Sequence, residues 1–260
     1  MKALQYKLLF ATLLFLLSGA NCLASSWKHI QQTECQMADS AYQKEDYTGA
    51  IRMYEQIAAN GYESASLFYN LGNAYYKSGE NAKALLWYER ALKLDPADED
   101  IQHNIAFVNR KIIDKIDAVP ETLFAQWWRN VTNLMTERQW AVLSIIGSFL
   151  LFLSIGAYLF ARNGGVRTTG FVTFWISIII IVFSVIFASK QKENATHHNE
   201  AIVMDLVVDA KNSPSATGKN LFVIHEGLKV QITNEMNGWV EIRLPNGEKG
   251  WIAQNSIEKI

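Results

Sequence analysis

Side chains able to do covalent or metal chemistry are sparse in this sequence, and none stands in the pattern such chemistry needs. His197 and His198 adjoin in a polar stretch, with no cysteine, aspartate or third histidine at ligand spacing, so no metal site is expected. Gly164-Gly165 lacks both the lysine-hydroxyl pair and the strand-to-helix setting of a phosphate loop. Neither a nucleophile elbow nor a paired-carboxylate arrangement stands out. The expectation is a protein that is not an enzyme and needs no cofactor. Cys35 is the one thiol left if the leader described below is removed. It reads as a small apolar filler on a helix or, alternatively, as a thiol redox sensor.

Binding chemistry is better represented. At ~100° per residue, Ser66, Tyr69, Asn73, Tyr76 and Lys77 share one stripe of a helix. Aromatic, amide and cationic groups on a concave stripe suit an extended peptide or a partner helix. An ordinary solvated face is the alternative. The corresponding stripe one unit earlier is Gln32, Cys35, Asp39, Tyr42 and Gln43. Near the C-terminus, Trp239 and Trp251 offer either flat platforms for a ligand or bulk for the core of a small domain.

The elements that must position the stripe are helical hairpins. Segments 31–64 and 65–98 align at a period of 34, with Ala50 on Ala84, Ile51 on Leu85 and Tyr54 on Tyr88. Phe68, Leu71-Gly72, Tyr75, Ala84, Tyr88, Ala91 and Pro96 of the second unit carry a resemblance to the tetratricopeptide repeat family. The first unit is degenerate early, and a third begins at Glu99, where Asn104-Ile105-Ala106 echoes Asn70-Leu71-Gly72. Gly72 and Ala84 are small where two helices approach closely, while Tyr75 and Tyr88 fill space between hairpins. So few units cannot close their own ends, and residues 99–116 are expected to supply a capping helix. The repeat domain is drawn at 25–118.

Three apolar runs account for a charged fraction of 19%, below the roughly 25% of soluble domains. Leu8–Leu17, preceded by Lys2 and Lys7 and followed by small residues, has the layout of an export signal over residues 1–24. Trp140–Phe160 and Phe171–Ala188 contain no charged residue and are long enough to span a bilayer, at 140–161 and 170–189. Arg162 and Arg167 in the loop 162–169 place that loop in the cytoplasm by the positive-inside rule. An exported N-terminus demands the same topology, which puts both flanking domains in the periplasm. Before the first span, Leu123, Phe124, Trp127, Trp128, Val131, Leu134 and Met135 recur every three or four residues. With Trp140, they predict an interfacial helix over 119–139 that lies against the lipid bilayer. Ser144, Ser148, Ser177 and Ser184 predict close approach of the two spans. Neither span holds an ionisable residue, so no ion path is expected. The net charge of -1 gives no field for nucleic acid.

After a polar linker at 190–200, residues 201–260 change to short alternating runs that predict five or six strands, with a hairpin turn at Asn246-Gly247. The Gly238-Trp239 and Gly250-Trp251 pairs and the terminal "NSIEKI" resemble the bacterial SH3-like family, a small all-β barrel. Relatives of that fold bind peptides or cell-wall material, or act as spacers. The fold class is thus a multidomain membrane protein: α-helical repeat hairpins, two transmembrane helices and an SH3-like barrel.

The order of parts, with "DIQHNIAFVNRKIIDKID" and "QWWRNVTNLMTERQWAVLS", resembles the BatE proteins of the Bacteroides aerotolerance operon. That resemblance implies an inner-membrane scaffold beside Bat-type partners with von Willebrand A-type domains and a MoxR-type ATPase, linked to oxidative-stress tolerance. It carries over no set of functional residues. A cell-wall sensor, with the barrel on peptidoglycan, is the competing expectation.

Overall fold

The computed structural model describes residues 33–116, 120, 122–196 and 199–260. The leader, Gln32 and the histidine pair lie outside them. Helix α1 covers residues 33–43 and is followed by α2 (Tyr47–Ala59), α3 (Ala65–Lys77), α4 (Asn81–Leu94) and α5 (Glu99–Asn109). Three of these later starts, those of α2, α3 and α5, are capped by a short polar side chain, whereas Glu80 before α4 makes no such bond. Asp46 accepts from the Gly49 N–H at 2.9 Å, Ser64 from Leu67 at 3.1 Å, and Asp98 from Ile101 at 3.1 Å. The α3–α4 turn needs a left-handed residue and has Gly79 at φ +88°. Its counterpart in the first unit, Glu45, takes φ +63° without that freedom.

Packing follows the marker residues. A Cβ on Gly72 would lie 2.6 Å from Cδ1 of Tyr88, so only glycine lets the α4 tyrosine cross α3 there. Leu71, Ala74 and Ala84 are fully enclosed, and Phe68 packs on Trp87 with ring centroids 5.2 Å apart. The predicted cap is shorter than expected: α5 ends at Asn109, although Ile112 beyond it still packs into the apolar cluster of the repeats.

Helix α6 (Leu123–Thr132) leads to a hairpin of α7 (Glu137–Phe160) and α8 (Gly164–Thr196), both long and apolar enough to cross a membrane. Thr136 and Gln139 form a capping box that starts α7. Ser177 and Ser184 are buried as predicted, while Ser144 and Ser148 are half-buried. Two glycines that the serine pattern did not single out also lie at close approaches. A Cβ on Gly147 would lie 3.0 Å from Ile181, and one on Gly170 3.0 Å from the Ser154 carbonyl oxygen. Helix α8 also runs through most of the segments read as loop and linker. Its polar end holds good helix formers, with Lys190 paired to Glu193 one turn on at 2.9 Å. Trp140, read as an interfacial anchor, is instead buried. Its indole N–H donates to the Thr132 carbonyl at 3.1 Å, and its ring lies 4.9 Å from that of Phe187. Leu123, Phe124, Trp127 and Leu134 are exposed.

The C-terminal region forms a seven-stranded antiparallel sheet: β1 (Glu200–Val203), β2 (Val207–Lys211), β3 (Asn220–His225), β4 (Lys229–Met236), β5 (Trp239–Arg243), β6 (Lys249–Ala253) and β7 (Ile257–Lys259). The strand order is β3-β2-β6-β5-β4-β1-β7. The Asn246-Gly247 turn is present between β5 and β6. A second Asn-Gly turn, Asn237-Gly238, joins β4 to β5 with φ +51° and +79°. The core holds Val203, Val230, Val240, Ile242 and Ile252 on alternate positions.

This sheet docks on the repeat helices. Lys229 Nζ sits 2.9 Å from Glu89 Oε2 of α4 and 2.9 Å from Glu200 Oε2. Arg90 donates to the Lys259 carbonyl at 2.7 Å and to Glu258 at 3.1 Å. Asp114 accepts from the His225 backbone N–H at 2.6 Å. Ile202 and Ile260 complete the apolar cluster of the repeats, whereas Ile116, beyond α5, packs on that of the sheet.

Candidate partner-binding groove

Helices α1, α3 and α5 are the first helices of successive units, and they line one concave face. Its depth is set by a hydrogen-bond ladder that repeats with the sequence. In the first rung Asp39 Oδ1 accepts from the Tyr54 hydroxyl at 2.5 Å and from the Asn70 amide at 3.2 Å. In the second, Asn73 Oδ1 accepts from the Tyr88 hydroxyl at 2.7 Å and from the Asn104 amide at 3.1 Å. Acceptor, tyrosine and asparagine each advance by one repeat. Tyr54 and Tyr88 are almost fully enclosed, so their hydroxyls need these partners. Burial, with the charge of Asp39 beside Tyr54, pushes both phenols well above their ordinary range.

Above this floor is a cavity of about 280 Å³ lined by Tyr42, Asn73, Tyr76, Lys77, Asn104 and Phe107, among others. Lys111 donates to the Tyr76 hydroxyl at 2.6 Å, with its ammonium 4.5 Å from that ring's centre and 5.5 Å from that of Phe107. Tyr76 and Phe107 meet edge to face at 5.8 Å. The rim is therefore aromatic and cationic.

Of the predicted stripe, Asn73, Tyr76 and Lys77 line this cavity. Tyr69 lies beneath it, accepting from the Asn104 amide at 3.1 Å with its ring 5.8 Å from that of Tyr88. Asn73 is thus not an outward group: its side-chain oxygen is committed to the ladder. Ser66 does not join the cavity. It sits in the first turn of α3, exposed, with its hydroxyl 3.2 Å from that of Ser64. His103, Asn104 and Phe107 of α5 were missed, although they occupy the positions of Tyr69, Asn70 and Asn73 advanced by one period. Cys35 is half-buried. Burial, then the carboxylates of Asp39 and Glu34, pushes its thiol up and lowers its thiolate fraction. No group of three or more metal-ligating side chains occurs among the described residues.

On the sheet, Trp239 and Trp251 are half-buried and neither belongs to the apolar core, which corrects the core alternative. They stand in neighbouring strands on the face away from Val240 and Ile252, with Lys211 5.7 Å from the Trp239 ring centre. The alternation of β5 and β6 decides this: each strand turns its small and branched residues inward.

Residues 35–99 match the family model of the tetratricopeptide repeat, and residues 208–258 match that of the bacterial SH3 domain. The chain carries both modules. Two apolar helices, α7 and α8, lie between them and are compatible with a membrane protein. No curated protein matches the chain. Repeats of this type are protein-interaction modules, and the bacterial SH3 module is one associated with cell-wall binding; both are typically non-catalytic.

Proposed function

We propose that this chain is a non-enzymatic scaffold of the bacterial inner membrane that grips protein partners in the groove of its repeat region. The observation that supports this best is the division of labour in the groove. Floor groups Tyr69, Asn73, Tyr88 and Asn104 hold one another, which leaves Tyr76, Lys77 and Phe107 as a preorganised rim for a ligand. The order of leader, repeats, spans and barrel supports a periplasmic position for both outer domains. Its resemblance to BatE proteins supports partners with von Willebrand A-type domains in a Bat-type complex for aerotolerance. A photo-crosslinking residue in place of Phe107, introduced into the full chain in membranes, is expected to capture a discrete partner. Tyr76→Ala combined with Lys77→Glu should abolish that capture. Unchanged capture in the double variant refutes the groove.

A second reading is a cell-wall sensor. It is favoured by the half-exposed Trp239 and Trp251 beside Lys211. Retention of the full chain on purified peptidoglycan, lost in Trp239→Ala and Trp251→Ala, would support it; no retention rejects it. A thiol sensor at Cys35 is the least supported, because the protonated thiol is favoured there.

A further inference from the structure

A large cleft lies away from the repeat groove and from the tryptophan face of the sheet. It has a volume of about 880 Å³ and lies where the end of α4, the start of α5, helix α6, the polar end of α8 and strands β1 and β4 meet. Its walls combine polar and charged groups, Lys93, Arg129, Asn130, Asn133, Glu99 and Gln191 among them, with the apolar side chains of Leu92, Pro96, Ala97 and Leu134. The cations Lys93, Arg129 and Lys229 are matched in number by the acids Glu89, Glu99 and Glu200, so the cleft has no net charge.

Its depth is fixed by the chain. Gln191 follows the apolar run that ends at Ala188 by three residues, about 4.5 Å at the helical rise. Asn133 and Leu134 lie just before the first apolar run, which opens at Trp140. On the membrane-spanning reading, on which this inference rests, the cleft is level with the head groups of one leaflet. The exposed Leu123, Phe124, Trp127 and Leu134 of the α6 region are where acyl chains would begin.

One group in the cleft is unsatisfied. Gln191 is 4% exposed, and its side-chain oxygen has no hydrogen-bond partner among the described residues. A buried acceptor left unpaired is costly, and its demand is for a donor.

We infer that this cleft binds a glycerophospholipid whose head group carries a hydrogen-bond donor, an ammonium or a hydroxyl, next to its phosphodiester. Arg129 and the amides of Asn130 and Asn133 take the phosphate. Gln191 Oε1 takes the donor of the head alcohol. A choline head, whose nitrogen bears only methyl groups, cannot supply that hydrogen.

The test uses the full chain in a lipid-free detergent, with native mass spectrometry to count bound lipids at equal concentrations of phosphatidylethanolamine, phosphatidylglycerol and phosphatidylcholine. One ethanolamine or glycerol lipid per chain is expected, retained about tenfold better than the choline lipid, the size of one well-made buried hydrogen bond. Gln191→Leu should bring the three to parity. Gln191→Glu, close in shape, should keep the ethanolamine lipid and lose the glycerol one, since a carboxylate attracts an ammonium and repels an anionic lipid. Equal retention of all three by the unaltered chain overturns the inference, as does a preference that Gln191→Glu leaves unmoved. Displacement by micromolar glycerophosphoethanolamine, which has the head without the chains, would assign the cleft to a soluble phosphodiester and overturn the lipid. Resistance of the chain to alkaline carbonate extraction, read on the same membranes, separates the two failures: release into the soluble fraction defeats the spans, whereas retention with no head-group preference defeats the cleft alone.

Discussion

Replacing Lys229 by methionine is expected to loosen the barrel from the repeat helices. The ammonium bridges Glu89 and Glu200 at 2.9 Å each. Glu89 is 8% exposed, so the variant strands a buried carboxylate. Removing one partner of a fully buried pair costs about 3–5 kcal/mol. The lysine side chain is 37% exposed and Glu200 more so, and solvent screening lowers the figure to about 2 kcal/mol. That is roughly a 30-fold rise in the opening constant of the junction. Hydrogen–deuterium exchange of the full chain in nanodiscs reads it directly: peptides covering α4, β1 and β7 should lose protection by about that factor, while β5 and β6 hold theirs. Adding Glu89→Leu should restore most of the protection, because the orphaned charge is gone. Burial works against the charged lysine, but Glu89 and Glu200 outweigh it and raise its pKa. A raised pKa means the junction is at full strength below the ordinary lysine value of 10.5 and weakens as pH climbs through the higher folded value. Unchanged exchange in Lys229→Met, or strictly additive effects in the double variant, would show that the triad does not couple the two regions.

Three further outcomes follow from particular residues. Glu45→Gly should stabilise the α1–α2 hairpin by about 1 kcal/mol, since the position has φ +63°; slower amide exchange in α1 and α2 is the readout. Tyr88→Phe should cost about 1 kcal/mol at neutral pH by removing one of the two hydrogen bonds to Asn73 Oδ1, the Asn104 amide keeping the other, yet flatten the loss of stability above pH 10, because a phenol whose pKa is raised on folding contributes below its unfolded pKa and loses that contribution as pH rises; exchange in α3 and α4 between pH 7 and 11 measures both effects. Gly170→Leu should push α7 and α8 apart, the nearest obstacles to a new Cβ being backbone atoms 3.0 Å away; loss of crosslinking between cysteines placed at Ser154 and Thr173 would report it, and undiminished crosslinking would show that the hairpin does not depend on this approach.

How much was legible beforehand depended on the range of the interaction. The 34-residue period, the markers Gly72, Ala84 and Pro96, and the apolar runs Trp140–Phe160 and Phe171–Ala188 are local patterns, and each lies in the element expected of it. Position on a helical wheel also put Tyr76 and Lys77 on the face that lines the cavity, because rotation about a helix axis is a property of spacing alone. The same wheel put Asn73 outside. Its partners are Tyr88, 15 residues on, and Asn104, 31 residues on, and no wheel of one helix contains them. Trp140 failed for a similar reason: a tryptophan at the head of an apolar run suits the interface, but Phe187 of another helix and the Thr132 carbonyl claimed it.

The sequence by itself therefore determined the modules and their order, since helix periodicity, strand alternation and unbroken apolar length need no knowledge of what lies across the fold. Tertiary structure alone decided which faces remained free. The ladder turned half of a surface stripe into a floor, the alternation of β5 and β6 set Trp239 and Trp251 outside the core, and the docking of Lys229 on Glu89 joined two modules that a linker had seemed to separate. Each of those outcomes depends on a partner far away in the chain, whose distance in space is set by packing rather than by spacing in sequence.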